Sequence, residues 1–433
     1  MKVKVATVLT LGCFLANFAV AGRTDSGLRP LPFPYEYLCF KTDAVGWVAG
    51  RVGIARTEDG GGSWHPLNRN LPTEVMDAKW ESPLDSIYTR PVISDASFLD
   101  HQTAWVIARG GYVLETLDGG RSWIDRTPQF VKVAPSPTRP PLPYLTGLQF
   151  LDSAHGWIMA IWEPQFAEGE KVSTDRERMT WQELFRTRDG GEHWDLVSVF
   201  LRRDRKLRNY QFVDTKTGWA VDAGGDLRKT EDGGATWDAV ANLYEVALQQ
   251  GIDSRTSFED SAIAFPREDQ GWVLSWKGVL AEVGGDGSIR IGGDTSLEPS
   301  LVRSFSGLWT TGSAGLWTVA RESPNPFTNF PAEPPKWVAP DDYSYRLLFS
   351  PGPGEGWRRL LEVPAHHMII PSPQSLGCVW ALLEGMLPQG TAQLILTSDG
   401  GRNWEVVSQV PMQEDTYPPS LAPAVGEHSK HQE

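Results

Sequence analysis

The chain has 433 residues, 54 acidic against 40 basic side chains and a formal net charge of −14. That balance argues against nucleic acid as a general partner, which calls for a basic stripe. Beyond the first 21 residues no run approaches the roughly 18 apolar residues of a membrane span, and the remaining cysteines are Cys39 and Cys378.

Residues 1–21 read as a cleaved secretory signal. Lys2 and Lys4 precede a mostly apolar stretch, and Ala19-Val20-Ala21 matches a small-x-small cleavage site, so the mature chain is expected to start at Gly22 and to be exported, periplasmic or extracellular. The alternative is a lipid anchor at Cys13, because Thr10-Leu11-Gly12-Cys13 half matches a lipoprotein signal. Residues 22–35 form a Pro-rich lead-in suited to an extended conformation.

From residue 36 to 411 two motifs alternate. The first is a short apolar run around a Trp: Gly46-Trp47, Ala104-Trp105, Gly156-Trp157, Gly218-Trp219, Gly271-Trp272, Leu316-Trp317 and Val379-Trp380. These runs have the length and composition of strands, and their tryptophans lie 58, 52, 62, 53, 45 and 63 residues apart. Phe-x-Asp precedes several of them, as at Phe98, Phe150 and Phe212.

The second motif, Thr-x-Asp-Gly-Gly-x-x-Trp, follows with its aspartate at Asp59, Asp118, Asp189, Asp232 and Asp399. It has hairpin chemistry: the Asp accepts bonds from the backbone after it, the glycines supply positive φ, and the Trp anchors the next strand. Degenerate copies stand at 282–289, without the Trp, and at 350–357, without the Asp. A turn residue repeated in five units points to structure rather than to calcium binding or acid–base catalysis.

One unit therefore reads as four antiparallel strands, A to D, with the Trp run as B and the Asp turn joining C to D. Seven such units that must hide their sheet edges predict an all-β, seven-bladed β-propeller over 36–411, followed by a flexible tail at 412–433.

The fixed order of Phe-x-Asp, Gly-Trp and Thr-x-Asp-Gly-Gly-x-x-Trp resembles the photosystem II assembly and stability factor family. These are seven-bladed Asp-box propellers of the bacterial-neuraminidase-repeat class, and the resemblance covers roughly residues 36–410. It implies a non-enzymatic scaffold that holds a membrane-protein precursor during assembly, on the lumenal or periplasmic side. The chain departs from a compact family member in its Trp-to-Thr interval. This is 10 or 11 residues in blades one, two and four, but 30 in blade three, 33 in blade six and 17 in blade seven.

Those insertions are B–C connections, which share a face with the D–A connections and lie opposite the Asp turns. Binding residues concentrate on loops held by a rigid scaffold, so this face is the predicted site. Its candidates are Trp162, Phe166, Arg176, Arg178 and Trp181 in blade three, Phe327 and Phe330 in blade six, and the basic run Arg202, Arg203, Arg205 and Arg208. Aromatics beside arginines make protein-contact anchors, and clustered cations capture acidic partners or anionic headgroups. The competing reading buries the aromatics over the blade tops and leaves the charges solvated.

Cys39 and Cys378 become neighbours if the ring closes and are candidates for a disulfide; two separate buried thiols are the other reading. An enzyme is not expected. A glycosidase needs two facing carboxylates, and Asp222 and Asp226 beside Gly224-Gly225 have no acid to face them. His366-His367 lacks companions at metal-ligand spacing, and no cofactor motif is present. The sequence predicts a monomeric binding scaffold for a membrane or envelope protein, with peripheral membrane contact possible through the Arg run. The rival is a carbohydrate-active or carbohydrate-binding propeller.

Overall fold

The computed structural model describes residues 35–410 apart from 52, 77–91, 133–142, 163–180, 202–205, 253–257, 259–260, 276, 293–301, 312–313, 324–343, 352–354, 365–366, 376–377 and 386–391. The expected signal, the lead-in up to Pro34 and the tail lie outside the described residues. No described helix is long and apolar enough to cross a membrane.

The apolar runs between Gly and Asp turns pair into seven four-stranded antiparallel sheets, as predicted. Blade 1 holds β1 (Tyr37–Phe40), β2 (Gly46–Gly50), β3 (Gly53–Thr57) and β4 (His65–Pro66). Blade 2 holds β5 (Ile93–Phe98), β6 (Ala104–Ala108), β7 (Tyr112–Thr116) and β8 (Ile124–Asp125). Blade 3 holds β9 (Tyr144–Phe150), β10 (Gly156–Trp162), β11 (Trp181–Thr187) and β12 (Asp195–Phe200). Blade 4 holds β13 (Leu207–Phe212), β14 (Gly218–Asp222), β15 (Asp226–Thr230) and β16 (Asp238–Asn242). Blade 5 holds β17 (Ala262–Arg267), β18 (Gln270–Leu274), β19 (Leu280–Gly284) and β20 (Ile289–Gly292). Blade 6 holds β21 (Val302–Thr311), β22 (Ala314–Ser323), β23 (Ser344–Ser350) and β24 (Arg358–Pro364). Blade 7 holds β25 (His367–Pro373), β26 (Val379–Gly385), β27 (Ala392–Thr397) and β28 (Glu405–Val410).

The motifs converge on the phenylalanine that ends strand A. Phe150 pairs with Gly156 across its own blade and stacks on Trp105 of the blade before, with centroids 3.7 Å apart and planes 5° apart. The Trp194 ring, which closes the Asp turn of the same blade, meets Phe150 edge-on at 6.0 Å. Phe212 repeats the arrangement with Gly218, Trp157 at 3.8 Å and Trp237 at 5.8 Å. The glycine is needed because a Cβ on Gly156 would lie 2.7 Å from the Phe150 ring.

Blade 2 carries Ala104 at that position, and its Phe98–Trp47 stack opens to 5.4 Å and 27°. In blades 6 and 7 the position holds Leu316 and Val379, and the residues paired with them are Thr310 and Pro373. A branched side chain and an aromatic ring cannot share the space. Those two junctions are filled by mixed packing around Trp272, with Leu316 and Phe305, and around Trp317, with Val379 and Phe349, instead.

The Asp turns are closed locally. Asp232 accepts bonds from the Thr230 hydroxyl at 2.8 Å, the Thr236 backbone N–H at 2.9 Å and the Thr236 hydroxyl at 2.7 Å. Asp59, Asp118, Asp189 and Asp399 repeat this pattern with their own threonines and the residue four positions on. Hydrogen bonds from Ser63 and Asn403 hold the Asp59 and Asp399 carboxyls down at about 2.

Blade 7 meets blade 1 without a covalent bond. Phe40 stacks on Trp380 at 4.1 Å, its N–H donates to Ser372 Oγ at 3.1 Å, and Trp64 Nε1 donates to Ser408 Oγ at 3.3 Å. The residue before the strand-A phenylalanine faces the next blade: Ser97 accepts the Phe150 N–H, Gln149 the Phe212 N–H, and Gln211 the Phe265 N–H. Cys39 occupies this position in blade 1, so it points into the core shared with blade 2, away from blade 7. Cys378 is a free, half-buried thiol, and the predicted Cys39–Cys378 disulfide is not formed.

If the glycine exists to admit the ring, Gly156→Ala should cost about 1–3 kcal/mol in chemical denaturation, and Phe150→Leu in the same chain should remove most of that increment. Strictly additive costs would refute the arrangement.

Candidate binding surface

The A–B and C–D turns lie at one end of every blade, so the B–C and D–A connections leave from the other end. At the base of the blade 3 insertion, Trp162 ends β10 and Trp181 begins β11, paired with each other. Their rings stack at 5.8 Å and 9°, and both indole nitrogens donate to the Glu183 carboxylate, at 2.8 and 3.2 Å. Phe130, from the connection after blade 2, leans on Trp162 at 6.2 Å and stacks on Phe185 at 4.1 Å. Trp162 is buried and Trp181 half-buried, so these two brace the root of the insertion.

Phe166, Arg176, Arg178, Phe327, Phe330, Arg202, Arg203 and Arg205 lie outside the described residues. Arg208 is described. It lies on β13 within a register shift between Leu207 and Asn209, half-buried, and its Nε has no hydrogen-bond partner. The structure thus joins Trp162 with Trp181 and places Arg208 separately, on the inner strand of the next blade.

Beside these residues the inner strands are stitched together across blades. The Tyr37 hydroxyl donates to Ser94 O at 2.8 Å, the Leu148 N–H donates to Asp95 Oδ2 at 3.1 Å, and the Tyr210 hydroxyl donates to Gly147 O. Asp95 is fully buried. Burial pushes its carboxyl up to about 7, against the lowering effect of hydrogen bonds from Leu148 and Ala96. Nearby, Glu36 pairs with Arg51 at 3.1 Å, and Tyr144 opens onto solvent, 56% exposed. A lone acid at an otherwise apolar strand position was the only sequence signal for this network.

Asp222 and Asp226 share one guanidinium: Arg228 Nε donates to Asp222 at 2.6 Å and its Nη2 to Asp226 at 3.2 Å. Asp222 also accepts the Gly224 and Asp226 N–H groups, both at 2.9 Å. The two carboxylates close the B–C turn, and their lone pairs are directed at the backbone and Arg228. On the opposite face Asp189, Glu192 and His193 cluster at the surface, but Asp189 is engaged by Thr187 and by the His193 ring at 2.7 Å.

Geometry of this kind defines a class: a propeller whose repeated polar and aromatic residues are spent on blade-to-blade contacts, with its variable connections gathered on one face. No family model matches the chain. It is 24% identical over 290 residues to the photosystem II assembly protein Ycf48 of Thermosynechococcus vestitus, a match covering 54% of this chain and 77% of that protein. Similar solved structures include YCF48 bound to a D1 peptide, with 16% identity, a TM-score of 0.47 and coverage of 86% of this chain and 92% of that one. YCF48 from Cyanidioschyzon merolae has 16% identity, a TM-score of 0.45 and coverage of 73% and 84%. A GH74 xyloglucanase from Xanthomonas campestris has 11% identity, a TM-score of 0.43 and coverage of 88% and 69%.

The raised Asp95 carboxyl has a signed consequence. The unfolded chain releases this proton near pH 4 and the folded chain near 7, so stability should fall as pH rises through that window and level off above it, with a slope of up to about 1.4 kcal/mol per pH unit. Asp95→Asn should flatten the slope in denaturation midpoints between pH 4 and 7, whatever its fixed offset; an unchanged slope would exclude Asp95 as the source.

Proposed function

We propose that this chain is an exported, non-enzymatic assembly factor that holds a segment of a membrane or envelope protein against the face carrying the B–C and D–A connections. The observation that carries this reading is the 24% identity over 290 residues to a photosystem II assembly protein. Export rests on the signal-like residues 1–21.

Arg208 is the described residue best suited to anchor such a segment. Its half-buried side chain stands on an inner strand, and its fixed positive charge complements an acidic segment. The run Arg202, Arg203 and Arg205 immediately precedes it in sequence and adds charge that steers an acidic segment toward the same face. A glycosidase reading draws no support from Asp222 and Asp226, which share Arg228 instead of facing each other across a cleft.

The test is affinity capture from envelope extracts with residues 22–433. The parent chain should retain a specific membrane protein, and Arg208→Ala should weaken its affinity about tenfold without lowering the melting temperature. Retention of a glycan, with no protein partner captured by either chain, would overturn the reading.

A further inference from the structure

The inner strand of blade 3 is built in two halves. Gln149 and Phe150 of β9 pair with Trp157 and Gly156, and Tyr144, Leu145 and Thr146 pair with Ile161, Ala160 and Met159. Between the halves Gly147 and Leu148 stand opposite Ile158 alone, which makes a β-bulge. Gly147 has φ +68°, in the left-handed region that favours glycine, and a Cβ there would lie 2.8 Å from the Tyr210 ring. The Phe150 half is fixed by its stack on Trp105, by the Ser97 hydroxyl that accepts the Phe150 N–H at 2.9 Å, and by Gln149, which donates to Phe212 O at 2.7 Å. The other half hangs on the bulge, with Leu145 buried and Tyr144 exposed at the D–A end.

Both neighbouring blades grip this bulge. From blade 2, Asp95 accepts the Leu148 N–H at 3.1 Å and the Ala96 N–H at 2.8 Å, and the Gly147 N–H bonds to the same carboxyl. From blade 4, the Tyr210 hydroxyl donates to Gly147 O. Blade 6 has a comparable glycine on its inner strand, Gly307 at φ +72°, but its carbonyl accepts the Thr318 hydroxyl of the same blade at 2.8 Å. In blade 3 the grip comes from outside, and one side of it is a fully buried titratable group. Around Asp95 stand Tyr37 and the Glu36–Arg51 pair of blade 1, Tyr144 of β9, and Tyr210 of β13 with Arg208 two residues ahead of it. Burial holds the Tyr37 and Tyr210 phenols well above their usual value and raises Glu36 against the pull of Arg51.

We propose that Asp95, Gly147 and Tyr210 form a latch on the bulge of β9, closed while Asp95 is protonated, and that loss of this proton lets residues 144–148 open as a local unit. The bulge supplies the hinge, because the ladder to β10 is already interrupted there. A buried carboxylate is disfavoured, whereas an opened strand end admits water to it. The open form releases the proton near pH 4 and the closed form near 7, so opening grows as pH rises between these values and levels off above them. Tyr144 lies on the face proposed above to hold a partner, so opening alters that face. This last step rests on the binding reading, whereas the latch is tested without a partner.

The experiment is hydrogen exchange of residues 22–433 between about pH 4.5 and 8.5, corrected for the intrinsic rate at each pH. Peptides covering 144–148 should exchange faster than those covering 158–160 of β10, with protection falling up to about tenfold per pH unit below 7 and levelling off above it. Asp95→Asn should remove this pH dependence. Tyr210→Phe, which keeps the ring and removes the hydroxyl, should raise exchange across 144–148 at every pH and leave the slope in place; it keeps the latch testable where Asp95→Asn fails to fold. Flat protection in the parent chain, a slope that survives Asp95→Asn, or exchange across 144–148 no faster than across 158–160 would overturn the latch.

Discussion

One phenylalanine on the inner strand of each of blades 1 to 5 carries the architecture. Its face lies on the B-strand Trp of the blade before, its edge meets the Trp of its own Asp turn, and its ring fills the space left by a glycine on its own B strand, as in Phe150 with Trp105, Trp194 and Gly156. Stacked and edge-on aromatic pairs add about 0.5–1.5 kcal/mol each beyond their buried area, and here both geometries share one ring. The Asp turn belongs to the same unit. A Cβ on Gly234 would lie 3.1 Å from the Phe212 ring, and Trp157 Nε1 donates to Gly233 O of the following blade at 3.0 Å. Three motifs that look independent in sequence are thus three walls of one packing site, which is why they recur in a fixed order.

The same constraint explains what sequence reading reached. Blade count, strand order and the turns were legible because each motif has one physical role and repeats it. Strand phase was legible in principle too. Given that Phe40 faces blade 7, Cys39 must face blade 2, and a bond from it to Cys378 conflicts with the alternation of side chains along a strand. Features without a repeat stayed hidden. The helix Leu243–Gln249 buries only Leu243 and Ala247, too brief a pattern to separate from a loop, although Asn242 caps it by accepting the Glu245 N–H at 3.0 Å. Glu183 gave no sign that it would collect two indoles across the blade 3 insertion, because the pairing of Trp162 with Trp181 is set by the strand register rather than by spacing along the chain.

Closing a ring of sheets leaves two kinds of edge, and this chain treats them differently. On the inside, side chains from one blade satisfy the backbone of the next: Gln149 both accepts from and donates to Phe212, and Gln211 does the same with Phe265. Such pairing does for the inner strands what further strands would do in a closed barrel, and it ties each blade's position to its neighbour's. A partner strand arriving in the channel would have to displace these bonds. On the outside, protection is improvised blade by blade, through strand length, charge or a glutamine borrowed from a helix. Inner pairing is a requirement of closure, whereas outer pairing is open to variation, so differences between propellers of this kind should gather on the outer wall and on the loop face.

That division accounts for the reach of sequence similarity in this fold. A handful of positions per blade, the Phe, the small residue opposite it, the strand Trp and the Asp turn, is enough to keep adjacent sheets at a workable distance. Even these tolerate exchange when their partners change together, as Leu316 with Thr310 and Val379 with Pro373 do. Similarity of 24% over 290 residues can therefore persist on packing alone. Insertions such as the one rooted at Trp162 and Trp181 lie outside this set and can change without disturbing it. The fold follows from the repeated residues, whereas residues that occur once, such as Arg208, are left free of that packing constraint.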